Sequence, residues 1–262
     1  MSQIEKELKL AVLIDADNVP YSNVKGMMEE ITKYGTPTTK RIYADWTKPN
    51  ANGWKSVLLE HAITPIQQYS YTVGKNSSDS AMIIDAMDLL YSDKVDGFCI
   101  VSSDSDFTRL AIRLRESGMK VIGIGEKKTP NSFIVACDRF IYIEVLDGAI
   151  KKKKPKPSAA NSNTETKDAK KIPEKEPSIK IDNPTIDLIE DAIDAICDDA
   201  GWAFLGDVGN LIVKNKPEFD PRSYGFTKLT PMLKSLTDIL EIDERDSDKK
   251  GIKHVYVRLR YT

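Results

Sequence analysis

Cysteine is scarce in this chain: Cys99, Cys137 and Cys197 stand far apart, with no CxxC pair among them. His61 and His254 are the only histidines, so no Cys/His zinc set can be assembled. Cys99 and Cys137 sit in apolar surroundings and read as small buried hydrophobes of a reducing compartment. Long hydrophobic runs are missing too. No stretch approaches the roughly 18 apolar residues needed to span a bilayer. The opening Met1–Lys9 lacks the apolar core of a secretory signal, so a cytoplasmic protein without a membrane partner is expected. Nor is there a strong charge of one sign: the formal net charge is −2. Overall charge therefore argues neither for nor against nucleic acid, and any such binding must use local patches. Aromatics vanish altogether between residues 147 and 183, which begin with Lys151-Lys152-Lys153-Lys154-Pro155-Lys156-Pro157. Too little apolar surface is present there to offset chain entropy, and a disordered basic linker is expected. Its lysines are expected to be simply solvated.

What remains falls into two segments, residues 1–146 and 184–262. In the first, short apolar runs alternate with amphipathic stretches. Strands are expected at Leu10–Ile14, Thr38–Ala44, Ile63–Gln68, Phe98–Val101, Val121–Ile124 and Phe140–Val145. Helices are expected at Val24–Tyr34, Gly53–His61, Asp79–Ser92, Phe107–Glu116 and Ser132–Cys137. Such alternation predicts βαβ units, a mainly parallel sheet and right-handed crossovers. Ala11–Ile14 and Phe98–Val101 are continuously apolar, as central strands covered on both faces would be.

In the second segment Ile186, Ile189, Ile193 and Ile196 recur at helical spacing, predicting a helix over Thr185–Ala200 with Thr185 or Asp182 as cap. Helices at Phe204–Val213 and Lys228–Ser235 follow, then strands at Ile239–Ile242 and His254–Leu259 joined by the turn-rich Asp243–Gly251. Three helices and a terminal hairpin suggest a small winged helix-turn-helix.

The chemistry lies in the first segment. Asp15 closes the first apolar strand and Asp104 follows the Phe98–Val101 strand, while Asp79 opens the helix between them. In a parallel α/β sheet, side chains just past the carboxyl ends of the strands converge on one crevice. Carboxylates gathered there repel one another, and a hard divalent cation relieves the repulsion. Taken singly, Asp106 before Phe107 could be a helix cap, and Asp79 could stabilise a helix start. Capping alone does not require Asp15 and Asp104 at two central strand ends. Asp85 is six positions beyond Asp79, roughly 240° around the helix, and ranks lower. Two or three of these carboxylates would hold Mg²⁺ or Mn²⁺, acting on phosphate esters. Asn18 would orient a water or a phosphate, Lys75 would either meet the scissile phosphate or stay solvated, and Ser102 and Ser103 offer hydroxyls at the same strand end.

One rival reading exists. Asp15-Ala16-Asp17-Asn18-Val19 fits the DxDx[TV] pattern and resembles the haloacid-dehalogenase-like phosphatases, with Asp15 as nucleophile and Asp17 as general acid. After Val121–Ile124, however, the chain offers only Gly125-Glu126-Lys127-Lys128, not that family's later acidic motif.

The motifs in series resemble the NYN family of PIN-like nuclease domains: Ile14-Asp15-Ala16-Asp17-Asn18, Gly74–Asp79 leading to Asp85, Ser103-Asp104-Ser105-Asp106-Phe107, and Ala136–Tyr142. The resemblance covers residues 8–146 and implies a Rossmann-like α/β/α sandwich with a Mg²⁺- or Mn²⁺-dependent ribonuclease site. By position, Asp15, Asp79 and Asp104 would form the metal-binding core. Asp106 would stand beside them at the metal, and Asn18 and Asp85 would support them. Residues 184–262 are similar to the OST-HTH/LOTUS domain, carried by Gly201–Leu211 and by Phe219–Phe226 through Leu229. That similarity implies binding of RNA, single-stranded or structured, or of a protein partner. Lys214, Lys216, Arg222, Tyr224 and Lys228 would be the exposed contacts. The acidic first helix, with Asp187, Glu190, Asp191, Asp194, Asp198 and Asp199, cannot face phosphates. Trp202, Phe204 and Phe226 are expected in the core rather than as base-stacking groups. The expected whole is a metal-dependent ribonuclease with a tethered RNA-recruiting domain. The alternative is a catalytically silent RNA- or protein-binding scaffold.

Overall fold

In the computed structural model, residues 7–49, 53–69, 77–146, 181–246 and 253–260 are described. They fall into two compact units, residues 1–148 with 210–219, and residues 149–209 with 220–262.

Six strands make the sheet of the first unit: β1 (Lys9–Asp15), β2 (Thr36–Ala44), β3 (Thr64–Gln67), β4 (Gly97–Val101), β5 (Lys120–Gly125) and β6 (Arg139–Tyr142). All pairings are parallel, in the order β3-β2-β1-β4-β5-β6. Between them run α1 (Val24–Ile31), α2 (Trp54–Glu60), α3 (Ser77–Leu90), α4 (Thr108–Glu116) and α5 (Asn131–Ala136). Strand alternation sorts the core into two layers. Ala11 and Leu13 of β1, with Phe98 and Ile100 of β4, pack with Met82, Leu110 and Phe133 from α3, α4 and α5. Leu10, Val12 and Ile14, with Cys99 and Val101, pack with Met27, Ile31 and Leu58 from α1 and α2. The result is an α/β/α sandwich whose two central strands are apolar on both faces. Cys99 and Cys137 are free and buried, as expected, and burial pushes both thiols up.

Three local features explain the path. Gly118, at φ +80°, makes the turn from α4 into β5, a left-handed conformation that glycine adopts without strain. Gly123 lets β5 approach β6, since a Cβ there would lie 2.5 Å from the Phe140 ring. The last strand is shorter than expected: β6 stops at Tyr142, and residues 143–146 form a helical turn. Ile143 and Leu146, three positions apart, both turn into the α1/α2 layer, a spacing a strand cannot deliver.

The second compact unit and its neighbouring segment contain α6 (Asn183–Asp194), β7 (Ala203–Phe204), α7 (Leu205–Asn215), α8 (Leu229–Lys234), β8 (Leu240–Asp246) and β9 (Lys253–Leu259). Strands β7, β9 and β8 form an antiparallel sheet in that order, giving helices plus a terminal hairpin. The first helix ends six residues before the expected Ala200. The Asp198 carboxylate accepts hydrogen bonds from the backbone N–H of Ala200 (3.0 Å) and Trp202 (2.9 Å), and Gly201 adopts φ +80°. That side chain offers the backbone an alternative to helical pairing. No helix of the described residues is long and apolar enough to cross a membrane.

Candidate metal and catalytic site

The order of the sheet decides where a site can form. The chain runs outward from β1 through β2 to β3, then crosses back to lay β4 on the other side of β1. Connections therefore diverge between the carboxyl ends of β1 and β4, leaving a crevice at that switch point. Asp15 ends β1, and Ser102, Ser103 and Asp104 follow β4 directly.

Asp15 is 1% exposed. One carboxylate oxygen accepts from Asn18 Nδ2 (2.6 Å) and Ser102 Oγ (2.9 Å), and the other from the Asp17 backbone N–H (3.1 Å). Burial raises its pKa, and these donors work against that rise. Ser102 also accepts from the Asp104 backbone N–H (3.1 Å), so one buried hydroxyl ties the two strand ends together. Asp104 in turn caps a 3₁₀ turn over Ser105–Phe107, accepting from the Asp106 N–H at 2.9 Å. Asp104 thus caps the 3₁₀ turn, while α4 starts after Phe107 with no side-chain cap bond, so Asp106 caps neither. Ser103 accepts from the Glu126 N–H (2.9 Å), drawing the end of β5 to the same place.

Asp79 enters from the first turn of α3 and is 7% exposed. Carboxylate oxygens of Asp79, Asp104 and Asp106 lie within 4.8 Å of one another. The Asp79 pKa is pushed up to about 6, first by burial and then by the charges of Asp15, Asp104, Asp106 and Asp17. Asp15 therefore sits beside the tight trio rather than inside it, and Asp106, expected at the metal, is a member. Asp17, read above only through the phosphatase pattern, adds charge from the rim. Three convergent carboxylates whose mutual repulsion already perturbs one of them fit a hard divalent cation.

Asp85 is elsewhere. It accepts from Arg41 and from the Tyr43 hydroxyl, both on β2, and so clamps α3 to the sheet. Its carboxylate raises the pKa of Arg41 through that hydrogen bond, and burial foremost raises that of Tyr43. This agrees with the angular separation from Asp79. Lys75 lies outside the described residues. Of the expected RNA contacts, Lys214 and Lys228 are exposed and Lys216 is half-buried. Arg222 is engaged by Asp220 at 2.6 Å, and the Tyr224 hydroxyl shares a 2.8 Å hydrogen bond with the buried Thr185. Both serve the fold locally.

A parallel sheet in this order, with carboxylates gathered at its switch point, is consistent with a PIN-like, nuclease-like α/β domain. The chain belongs to the NYN family, with residues 9–144 matching the NYN domain, and residues 178–252 match the OST-HTH/LOTUS domain. The NYN match takes the place of the phosphatase reading of Asp15 and Asp17. No curated protein matches the chain. Among solved structures, a protein of unknown function from Vibrio parahaemolyticus is 22% identical, with a TM-score of 0.46 over 54% of this chain and 96% of its own. An uncharacterized protein from Nitrosomonas europaea is 31% identical, with a TM-score of 0.31 over 38% of this chain and 94% of its own.

Proposed function

We propose that the protein is a metal-dependent ribonuclease whose C-terminal domain recruits RNA. The observation that carries this reading is the convergence of Asp79, Asp104 and Asp106 beside buried Asp15. Asp79, Asp104 and Asp106 would hold Mg²⁺ or Mn²⁺, with Asp15 adding charge from the β1 side. A bound ion would lower the pKa of a coordinated water and offset charge developing on the phosphoryl oxygen. The chain's own groups supply the geometry. Ser102 and Asn18 fix the Asp15 carboxylate, and Ser102 also fixes the backbone at Asp104. The 3₁₀ turn after Asp104 presents Asp106, and the Asp85 clamp holds the helix bearing Asp79. Between the two domains, a tether would raise the local concentration of RNA at the crevice.

The test is cleavage of a labelled single-stranded RNA with Mg²⁺ or Mn²⁺. Asp104→Asn should reduce cleavage by about a hundredfold or more, since even positioning partners of metal ligands are worth 10–100-fold. EDTA should abolish it, and RNA affinity should survive the substitution. A well-folded wild type that binds RNA but cleaves neither RNA nor single-stranded DNA would make the protein a binding scaffold instead.

A further inference from the structure

The outer face of the C-terminal sheet carries rings and guanidinium groups that the domain's core does not use. Strand alternation puts Val257 inside, fully buried, and His254, Tyr256 and Arg258 of β9 on the opposite face. Across the ladder Arg245 pairs with His254, and on the other side Phe204 pairs with Tyr256. These groups form one connected surface. Phe204 meets the His254 ring edge-on at 5.5 Å and 72°, and Tyr256 at 5.8 Å and 57°. The Arg245 guanidinium lies 4.2 Å from the Tyr256 ring centroid and 5.3 Å from that of Trp202, and Arg258 lies 4.7 Å from Trp202. Phe204 is 36% exposed, and Trp202 is half-buried. Neither is the core residue that the sequence suggested.

The charge of this face is balanced. Arg258 is bound to Glu241 at 2.6 Å and Arg245 to Asp243 at 2.8 Å. A surface built for phosphates would present unopposed cations. Here each guanidinium is ion-paired through its donors and laid over a ring. That chemistry suits flat, uncharged, unsaturated groups, which unpaired nucleobases offer and a duplex backbone does not.

We propose that single-stranded RNA docks on this sheet face, its bases stacking on Phe204, Tyr256 and Trp202 beside Arg245 and Arg258. The assignment rests on the reading of the chain as an RNA-acting protein. It places the contact on the sheet rather than on Lys214, Lys216 and Lys228. Because bases as well as phosphates supply the affinity, binding should depend less on salt than a phosphate-led contact would, and should discriminate against duplex.

The test uses the full chain carrying Asp104→Asn, to suppress cleavage, and a labelled single-stranded RNA of about twenty nucleotides, long enough for one or more binding sites. Replacing Phe204 and Tyr256 together by leucine keeps an apolar side chain at each position and removes both rings. Affinity should fall by about tenfold or more, while Tyr256→Phe should bind as the parent does. Lys214→Ala with Lys228→Ala should have a smaller effect. In the parent chain, RNA should slow hydrogen–deuterium exchange at residues 202–204 and 253–258, a readout independent of whether the leucine variant folds. Undiminished affinity in a folded leucine variant, or no protection of those residues by bound RNA, would overturn the assignment and leave the ribonuclease reading standing. A wild type that neither binds nor cleaves RNA would instead remove the reading beneath it, and the face would then belong to a protein contact.

Discussion

Replacing Asp79 by asparagine should set stability against activity. Burial and four neighbouring carboxylates raise the Asp79 pKa from 3.8 to about 6. One pKa unit corresponds to about 1.4 kcal/mol, so ionising Asp79 destabilises the cation-free fold by up to about 3 kcal/mol. Between pH about 4 and about 6 the folded state holds this proton more tightly than the unfolded chain, so the stabilising contribution falls as pH rises and stays lost at neutral pH. An asparagine keeps the shape and carries no charge. Its buried amide still needs partners, so we expect a net gain of roughly 1–2 kcal/mol at neutral pH in EDTA. For a protein of this size each kcal/mol moves the melting temperature by about 2–4 °C. Calorimetry of both proteins, at pH about 5 and at neutral pH, with EDTA or Mn²⁺, reads every term. Wild type should gain stability from Mn²⁺ at neutral pH, and Asp79→Asn should gain much less while losing RNA cleavage. A variant less stable than wild type in neutral EDTA, or equal stabilisation of both by Mn²⁺, would refute the claim that Asp79 is held against its neighbours for a cation.

Asp85→Ala should destabilise the first unit by about 1–3 kcal/mol, since it strips Arg41 and the buried Tyr43 hydroxyl of a shared partner. Chemical denaturation measures this. Cleavage should also fall, because α3 carries Asp79, whereas Mn²⁺ should still bind once the protein is folded. Gly123→Ala should cost about 1–3 kcal/mol by overpacking, its Cβ falling 2.5 Å from the Phe140 ring and 2.8 Å from Cys137 Sγ. A melting temperature equal to wild type would mean that β5 and β6 separate more readily than their packing implies.

Much of the first unit was legible because its signals are local. The apolar runs around Val12 and Ile100 require cover on both faces, and each is followed by a carboxylate that a buried strand interior would not tolerate. The angular separation of Asp79 and Asp85 follows from helix geometry alone and kept the latter away from the site. Less could be read where a residue's role depends on a partner distant in sequence. Asp106, taken singly, could equally have capped the helix after it, but Asp104 caps the intervening 3₁₀ turn and that helix starts after Phe107 with no side-chain cap bond. The Ser102 hydroxyl, which also holds the Asp104 backbone, reaches Asp15 across 87 positions. Residues 143–146 carry strand-like side chains but turn helically to bury Ile143 and Leu146.

The sequence by itself determined the alternation of strands and helices, the apolar centre of the sheet and the three stations of acidic chemistry, since these depend on residue type and short-range period. Tertiary structure decided which carboxylates share the site, because only the strand order brings the ends of β1 and β4 together beneath α3. It also decided that Trp202 and Phe204 face outward. A ring's hydrophobicity is the same inside or out, and its side of a sheet is fixed by register with β9, which no local pattern in a two-residue strand records.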